Sequence, residues 1–270
     1  MRKKKRTINN DRHYGTGKEQ EAIILFKGLN RQVEDMDIMA RYLNKVHGYY
    51  VTILDFPKAY ESLTQSATTC AQKLHDMDLN TRFEKTHFVG ASRGGLIIRK
   101  LIEQGIEKTV QNLDSCVMLG TPNQGSQIID MYRARFWAKP ILTLLRGKEA
   151  HKLRPGKDGI LSELRDEFPS KKAQLGIIAG FDKFVYFPLK YGKKMFKYTG
   201  LHDGIVGVKE TFLKGAKGHL TIPNLDHIAM ESDIDCLDQI VRFIKTKTFD
   251  VFKDENRKKK PLTPENPLLR

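Results

Sequence analysis

Six short stretches of the chain are dominated by apolar residues: Ala22–Phe26 (AIILF), Tyr50–Leu54 (YVTIL), Thr86–Val89, Cys116–Leu119, Leu175–Ala179 (LGIIA) and His219–Ile222. Continuous apolar runs of this length suit strands buried on both faces. Between them the apolar positions change to helical spacing. Met36, Met39, Ala40 and Leu43 share one helical face, and so do Leu96, Ile97, Leu101 and Ile102. The span from Ser62 to Met77 is helix-compatible, and a last helix starting near Ser232 would bury Ile234, Leu237, Val241 and Ile244. Strand and helix in alternation predict an α/β fold with a mostly parallel central sheet and helices on both faces.

The rhythm breaks between Ser126 and about Lys172, a basic stretch carrying Pro140, Pro155 and Pro169. It is too long for a plain connection. The stretch from Gly180 to Gly200 is the second irregular one, with seven aromatics among five lysines. Residues 127–172 and 181–200 are therefore expected to form an inserted cap or lid. The aromatic and basic character of the second also suits peripheral contact with an anionic membrane.

Composition narrows the class. The 270 residues suffice for one large domain, expected over residues 21–252, with a basic flexible tail at 1–20 and a second flexible tail at 253–270. The net charge of +15 is partly held in RKKKR at 2–6 and RKKK at 257–260. Such a balance can favour nucleic acid or anionic surfaces, but no nucleic-acid-binding signature accompanies it, so nucleic acid is set aside as a partner. No apolar run is long enough for a membrane helix, and MRKKKR is followed by no apolar core of a signal peptide. The expected location is cytoplasmic or peripheral at the membrane. Cys70, Cys116 and Cys236 show neither zinc spacing nor a disulfide framework. No metal or organic cofactor is implied.

The candidate chemistry lies in HFVGASRGGLIIRK, residues 87–100, where an apolar strand meets a glycine-rich turn and then a helix. The pattern G-x-S-x-G places Ser92 on a sharp strand-to-helix turn, the geometry of an exposed nucleophile. Neither phosphate-loop pattern fits these glycines. A serine hydroxyl needs a base, usually a histidine held by a carboxylate. His227, in the loop after the strand at 219–222, has the right order along the chain. Asp203, in the tight Asp-Gly loop of LHDGIVGV, is the favoured acid; Asp182, directly after the strand at 175–179, is the alternative, and Asp226 is adjacent to His227. His219 and His202 are weaker candidate bases, and His13, His47, His75, His87 and His151 are expected to be structural or solvated. Main-chain N–H groups of Arg93 and Leu29 are the expected oxyanion donors, with Gly28 allowing close backbone approach. Lys27 and Gly28 are further substrate or surface candidates.

The chain resembles the lipase-like serine hydrolases of the α/β-hydrolase fold. The resemblance runs through AIILFKGLNRQVEDMDIMARYLNKVHGYYVTILDFP (22–57), the elbow at 87–105, VMLGTPNQGS (117–126) and DGIVGVKETFLKGAKGHLTIPNLDHIAM (203–230). It implies Ser92, Asp203 and His227 as a triad and hydrolysis of esters with an apolar acyl part, lipids included, through an acyl-enzyme. Two positions depart from the family pattern: Lys27-Gly28 stands where His-Gly is common, and Arg93 replaces an uncharged residue. Their charges either reach the mouth of the site or point away, leaving only main-chain donors. An acyltransferase, thioesterase or amidase using the same triad remains an alternative. So does a catalytically silent ligand- or membrane-binding protein of the same fold. Oligomeric state is not legible.

Overall fold

The computed structural model describes residues 10–56, 62–127, 159, 162–182, 200–252 and 257–269. Seven strands form one sheet in the order β1-β3-β2-β4-β5-β6-β7. They are β1 (Arg12–Tyr14), β2 (Glu21–Phe26), β3 (Tyr50–Leu54), β4 (Lys85–Ala91), β5 (Leu113–Leu119), β6 (Gln174–Phe181) and β7 (Gly218–Pro223). β1 pairs with β3 antiparallel, and every other pairing is parallel. Among the described residues the α-helices are α1 (Asp37–Lys45), α2 (Leu63–Asp76), α3 (Leu79–Arg82), α4 (Arg93–Glu103) and α5 (Ile234–Thr246).

The apolar runs behave as their composition demands. Ala22, Ile24 and Phe26 face one layer of the core, with Phe88 and the α2 and α4 residues Leu63, Cys70, Leu96 and Leu101. Ile23 and Leu25, one residue out of phase, face the other layer with Met39 and Leu43 of α1 and Leu237 and Ile240 of α5. A strand that must fill both layers has no room for a polar side, which removes the usual alternation. Helix starts are specified locally. Ser62 and Gln65 form a capping box with bonds of 3.1 and 3.0 Å, and Asp233 caps α5 through the Cys236 amide. All three cysteines are buried and unpaired. Among the described residues no helix is long and apolar enough to cross a membrane.

Two segments differ from the expected tails. Arg12–Tyr14 is an edge strand, held by His13 to Thr52 (3.0 Å), Tyr14 to Asp37 (2.6 Å) and Arg12 to Glu34 (2.6 Å). Residues 257–269 fold back onto the domain, where Leu262 and Leu269 are buried and Leu269 accepts a hydrogen bond from Arg41. Polar side chains make most of these contacts, so no apolar pattern announces them. Of the two cap candidates, 128–158, 160–161 and 183–199 lie outside the described residues.

Candidate active site

β4 is parallel to β2 and β5 and ends at Ala91, at the carboxyl edge of the sheet. Ser92 follows with φ 53° and ψ −120°, a left-handed conformation that costs a side-chain-bearing residue energy. Its amide donates to the Leu119 carbonyl at 2.7 Å, and the Gly95 amide donates to its carbonyl at 3.1 Å. The surrounding glycines are steric requirements. A Cβ on Gly94 would lie 2.0 Å from the Phe26 carbonyl oxygen, and one on Gly95 would lie 2.1 Å from Thr121 Oγ1. The elbow thus packs against the ends of β2 and β5 at distances only hydrogen permits.

The candidate acid and the candidate base meet at the same edge. His227 Nδ1 is 2.6 Å from Asp203 Oδ2, and the His227 amide donates to the Asp203 carbonyl at 3.0 Å. Asp203 is itself fixed, because Oδ1 accepts from the amides of Ile205 (2.9 Å) and Val206 (2.7 Å). Gly120, at the end of β5, lies directly beneath: a Cβ there would sit 3.0 Å from both Asp203 Oδ2 and His227 Nδ1. Ser92, bonded to Leu119, and the Asp203–His227 pair, resting on Gly120, are brought together by consecutive residues of one strand end. Burial disfavours the charged imidazole of His227. The carboxylate of Asp203, with Glu231 and Asp226 adding to it, more than offsets this and raises its pKa above the usual histidine range.

The loop after β2 covers the elbow. Gly28 is so placed that a Cβ would lie 3.5 Å from Ser92 Cβ, and Leu29 beside it is buried. Lys27 is 2% exposed. Its ammonium is held by the Phe56 carbonyl (3.0 Å), the Arg31 carbonyl (3.2 Å) and Asp55 (3.1 Å). The Arg93 side chain is buried too, and its guanidinium donates to Ser66 of α2 at 2.9 Å.

The other candidates have different partners. The Asp182 carboxylate meets Lys259 at 2.7 Å. Asp226 accepts the amides of Ile228 (3.1 Å) and Ala229 (2.9 Å) and pairs with Lys259 at 2.6 Å. His219 bonds Thr211 at 2.8 Å and stacks on Phe212, and burial pushes its pKa down to about 4. His202 accepts the Gly204 amide at 3.1 Å. His13, His47, His75 and His87 pair with Thr52, Asp238, Asp76 and Glu21, and His151 lies outside the described residues. Three features escaped sequence reasoning. Gly120 lay inside a segment noted only for resemblance. Glu231, buried near His227, pairs with Arg31 at 2.7 Å, and no spacing rule marks that pair. Asn123 and Ser126 bond the Thr211 (2.7 Å) and Ile205 (2.6 Å) carbonyls, tying the segment after β5 to the acid loop. Among the described residues no cluster of metal-ligating side chains occurs.

Residues 22–158, just over half of the chain, match the family model of palmitoyl protein thioesterases. Among solved structures, the mature form of the Bacillus licheniformis lipase BlEst2 is similar at 19% identity. It matches over 87% of this chain and 96% of that one, with a TM-score of 0.68. An alpha/beta hydrolase fold protein from Chitinophaga pinensis is 10% identical over 88% of this chain and 90% of its own, with a TM-score of 0.55. Phospholipase PlaB from Legionella pneumophila is 13% identical over 77% of this chain and 52% of its own, with a TM-score of 0.53. No curated protein matches by sequence. At these identities the structural likeness is one of fold, and the family match adds the class: a lipase-, esterase- or thioesterase-type hydrolase. The chain belongs to the palmitoyl protein thioesterase family, among the lipase-like hydrolases of the α/β-hydrolase fold.

Proposed function

We propose that the protein is a serine hydrolase that cleaves carboxylic esters with an apolar acyl part through an acyl-enzyme on Ser92. Ser92 Oγ attacks the carbonyl carbon while His227 takes its proton. Asp203 holds the imidazole in the tautomer that can accept that proton and balances the imidazolium that results. The main-chain N–H groups of Leu29 and Arg93 receive the oxyanion. His227 then protonates the leaving group, and the same imidazole activates water to release the acid. The observation that carries this reading is the 2.6 Å Asp203–His227 bond resting on Gly120, next to the residue that anchors the strained Ser92. A fluorophosphonate probe should label the wild type at Ser92 and fail to label Ser92→Ala. A well-folded wild type that takes no label refutes the proposal.

A second reading is favoured by the family match over residues 22–158: the scissile bond is a thioester. The same steps apply, with a thiolate as leaving group. Paired oxyester and thioester substrates of one acyl chain decide between the readings by their kcat/KM ratio. Lipid-like substrates also fit contact with an anionic membrane surface. Vesicle sedimentation with and without anionic lipid tests that contact.

A further inference from the structure

The basic run at the C-terminal end, Arg257 to Lys260, is matched to carboxylates. Arg257 is buried and donates to both oxygens of Asp233, at 3.2 and 2.7 Å. Lys259 lies 2.7 Å from Asp182 and 2.6 Å from Asp226, and Lys260 lies 2.9 Å from Asp235. The main chain joins in. Ile234 donates to the Lys260 carbonyl (3.0 Å), Leu262 to the Ser232 carbonyl (2.8 Å), and the Asn224 side chain to the Arg257 carbonyl (2.8 Å). The segment therefore runs as a strap along residues 224–235, from the turn that carries His227 to the start of α5.

The two partners of Lys259 belong to different walls of the site. Asp182 follows β6, and its amide donates at 3.1 Å to the carbonyl of His202, the residue before Asp203. Asp226 is the residue before His227, and its other oxygen organises the turn through Ile228 and Ala229. One ammonium thus spans from the acid side to the histidine side. A partly exposed pair of this kind adds little to overall stability. A cation shared by two loops fixes their separation, and a displacement of about 1 Å in a catalytic group is expensive in rate.

We propose that Lys259 is a positioning residue of the triad: its ammonium ties the histidine turn at Asp226 to the end of β6 at Asp182, and so holds His227 against Asp203. This rests on the assignment of Ser92, Asp203 and His227 made above. Lys259 is then an internal brace for the reaction rather than part of a flexible tail.

The test is steady-state kinetics on a p-nitrophenyl ester, with thermal unfolding alongside. Lys259→Met should lower kcat about 10-fold, leave KM within about 2-fold, and leave the unfolding midpoint near that of the wild type. Lys259→Arg should recover most of the rate. Lys260→Met, which removes a neighbouring ammonium without touching the histidine turn, should keep the wild-type rate. Asp226→Asn breaks the bridge from its other end. Combined with Lys259→Met it should cost no more than the larger single change, the signature of one shared interaction. Wild-type kcat in Lys259→Met overturns the proposal. So does an equal loss in Lys260→Met, a failure of arginine to rescue, or a rate loss that merely follows the unfolding midpoint. If wild-type Ser92 takes no fluorophosphonate label, the triad assignment falls and this proposal with it. If the wild type is labelled and Lys259→Met turns over normally, only the brace is refuted.

Discussion

Replacing Asp203 by Asn separates the two candidate acids most sharply. The Asp203 side chain is 1% exposed and makes three bonds: Oδ1 to the Ile205 and Val206 amides at 2.9 and 2.7 Å, and Oδ2 to His227 Nδ1 at 2.6 Å. An asparagine can satisfy the two amides only by turning its carbonyl oxygen toward them. Its NH2 group then faces His227 Nδ1 and forces that nitrogen to accept. The ring proton moves to Nε2, and the imidazole loses the lone pair that would take the Ser92 proton. A wrong-tautomer loss of this kind is about 10⁴-fold in kcat, or about 5.5 kcal/mol of transition-state stabilisation at 1.36 kcal/mol per tenfold. Asp182→Asn weakens the pairing with Lys259, and a positional effect of at most about 10-fold is expected. Both variants are assayed with a p-nitrophenyl ester at a pH where the wild-type rate is on its plateau, with circular dichroism to confirm folding. If Asp203→Asn keeps its rate within 10-fold while Asp182→Asn loses about 10³-fold, the acid is Asp182 and the reasoning from the hydrogen bond is refuted.

Gly94→Ala should destabilise the fold by at least about 3 kcal/mol in urea unfolding. The new Cβ would meet the Phe26 carbonyl at 2.0 Å, and backbone cannot rotate away; an unchanged midpoint would contradict the packed elbow. Glu231→Gln should move the acid limb of the kcat/KM profile to lower pH. His227 faces the carboxylates of Asp203, Glu231 and Asp226, which favour its imidazolium; without the Glu231 charge the neutral base persists to lower pH. A limb that stays in place or moves upward would refute the coupling. Lys27→Met should cost about 2 kcal/mol of stability while leaving the preference between neutral and anionic acyl groups unchanged, measured with paired butyrate and hemisuccinate esters. Its ammonium serves Phe56, Arg31 and Asp55 rather than the cleft.

The parts of the fold legible in the sequence are those that bury apolar area in a repeating geometry. Tyr50–Leu54 is β3 to the residue, and the runs at 22–26, 86–89, 116–119, 175–179 and 219–222 all lie inside observed strands. Extensions such as Lys85 and Gly90-Ala91 in β4 were illegible because the apolar signal had already stopped, while ladder hydrogen bonds continued. β1 carries no apolar pattern at all. Arg12, His13 and Tyr14 are bound by polar side chains on Glu34, Thr52 and Asp37, partners that only the folded chain brings near. The strap at 257–269 is illegible for the same reason: its Arg-Lys run is paired with aspartates more than 20 residues away in the chain. At the candidate site, the sharp turn at Ser92 could be read because the elbow has a local steric signature. The choice of Asp203 over Asp182 could not be settled from order alone. What distinguishes them is the direction of a side chain, toward His227 in one case and Lys259 in the other.

The two cations of the opening motifs show how charge in a sequence differs from charge in a site. Lys27 and Arg93 flank the proposed oxyanion loop and the proposed nucleophile, and their charges in the sequence are compatible with an anionic substrate. The folded chain buries both. Lys27 closes its own loop through the Arg31 carbonyl and joins it to the residues after β3. Arg93 joins the first turn of α4 to Ser66 of α2. Each cation fixes one of the two backbone segments expected to donate to the oxyanion. Such donors must be held rigidly, because their advantage over water is that they need no reorganisation as charge develops. A mobile ammonium in the cleft would attract carboxylates and phosphates to the ground state as readily as it stabilised the transition state, and uniform binding of that kind does not raise kcat. A lysine and an arginine buried behind the proposed donors would supply rigidity instead, which suits the proposed neutral carbonyl carried by an apolar chain.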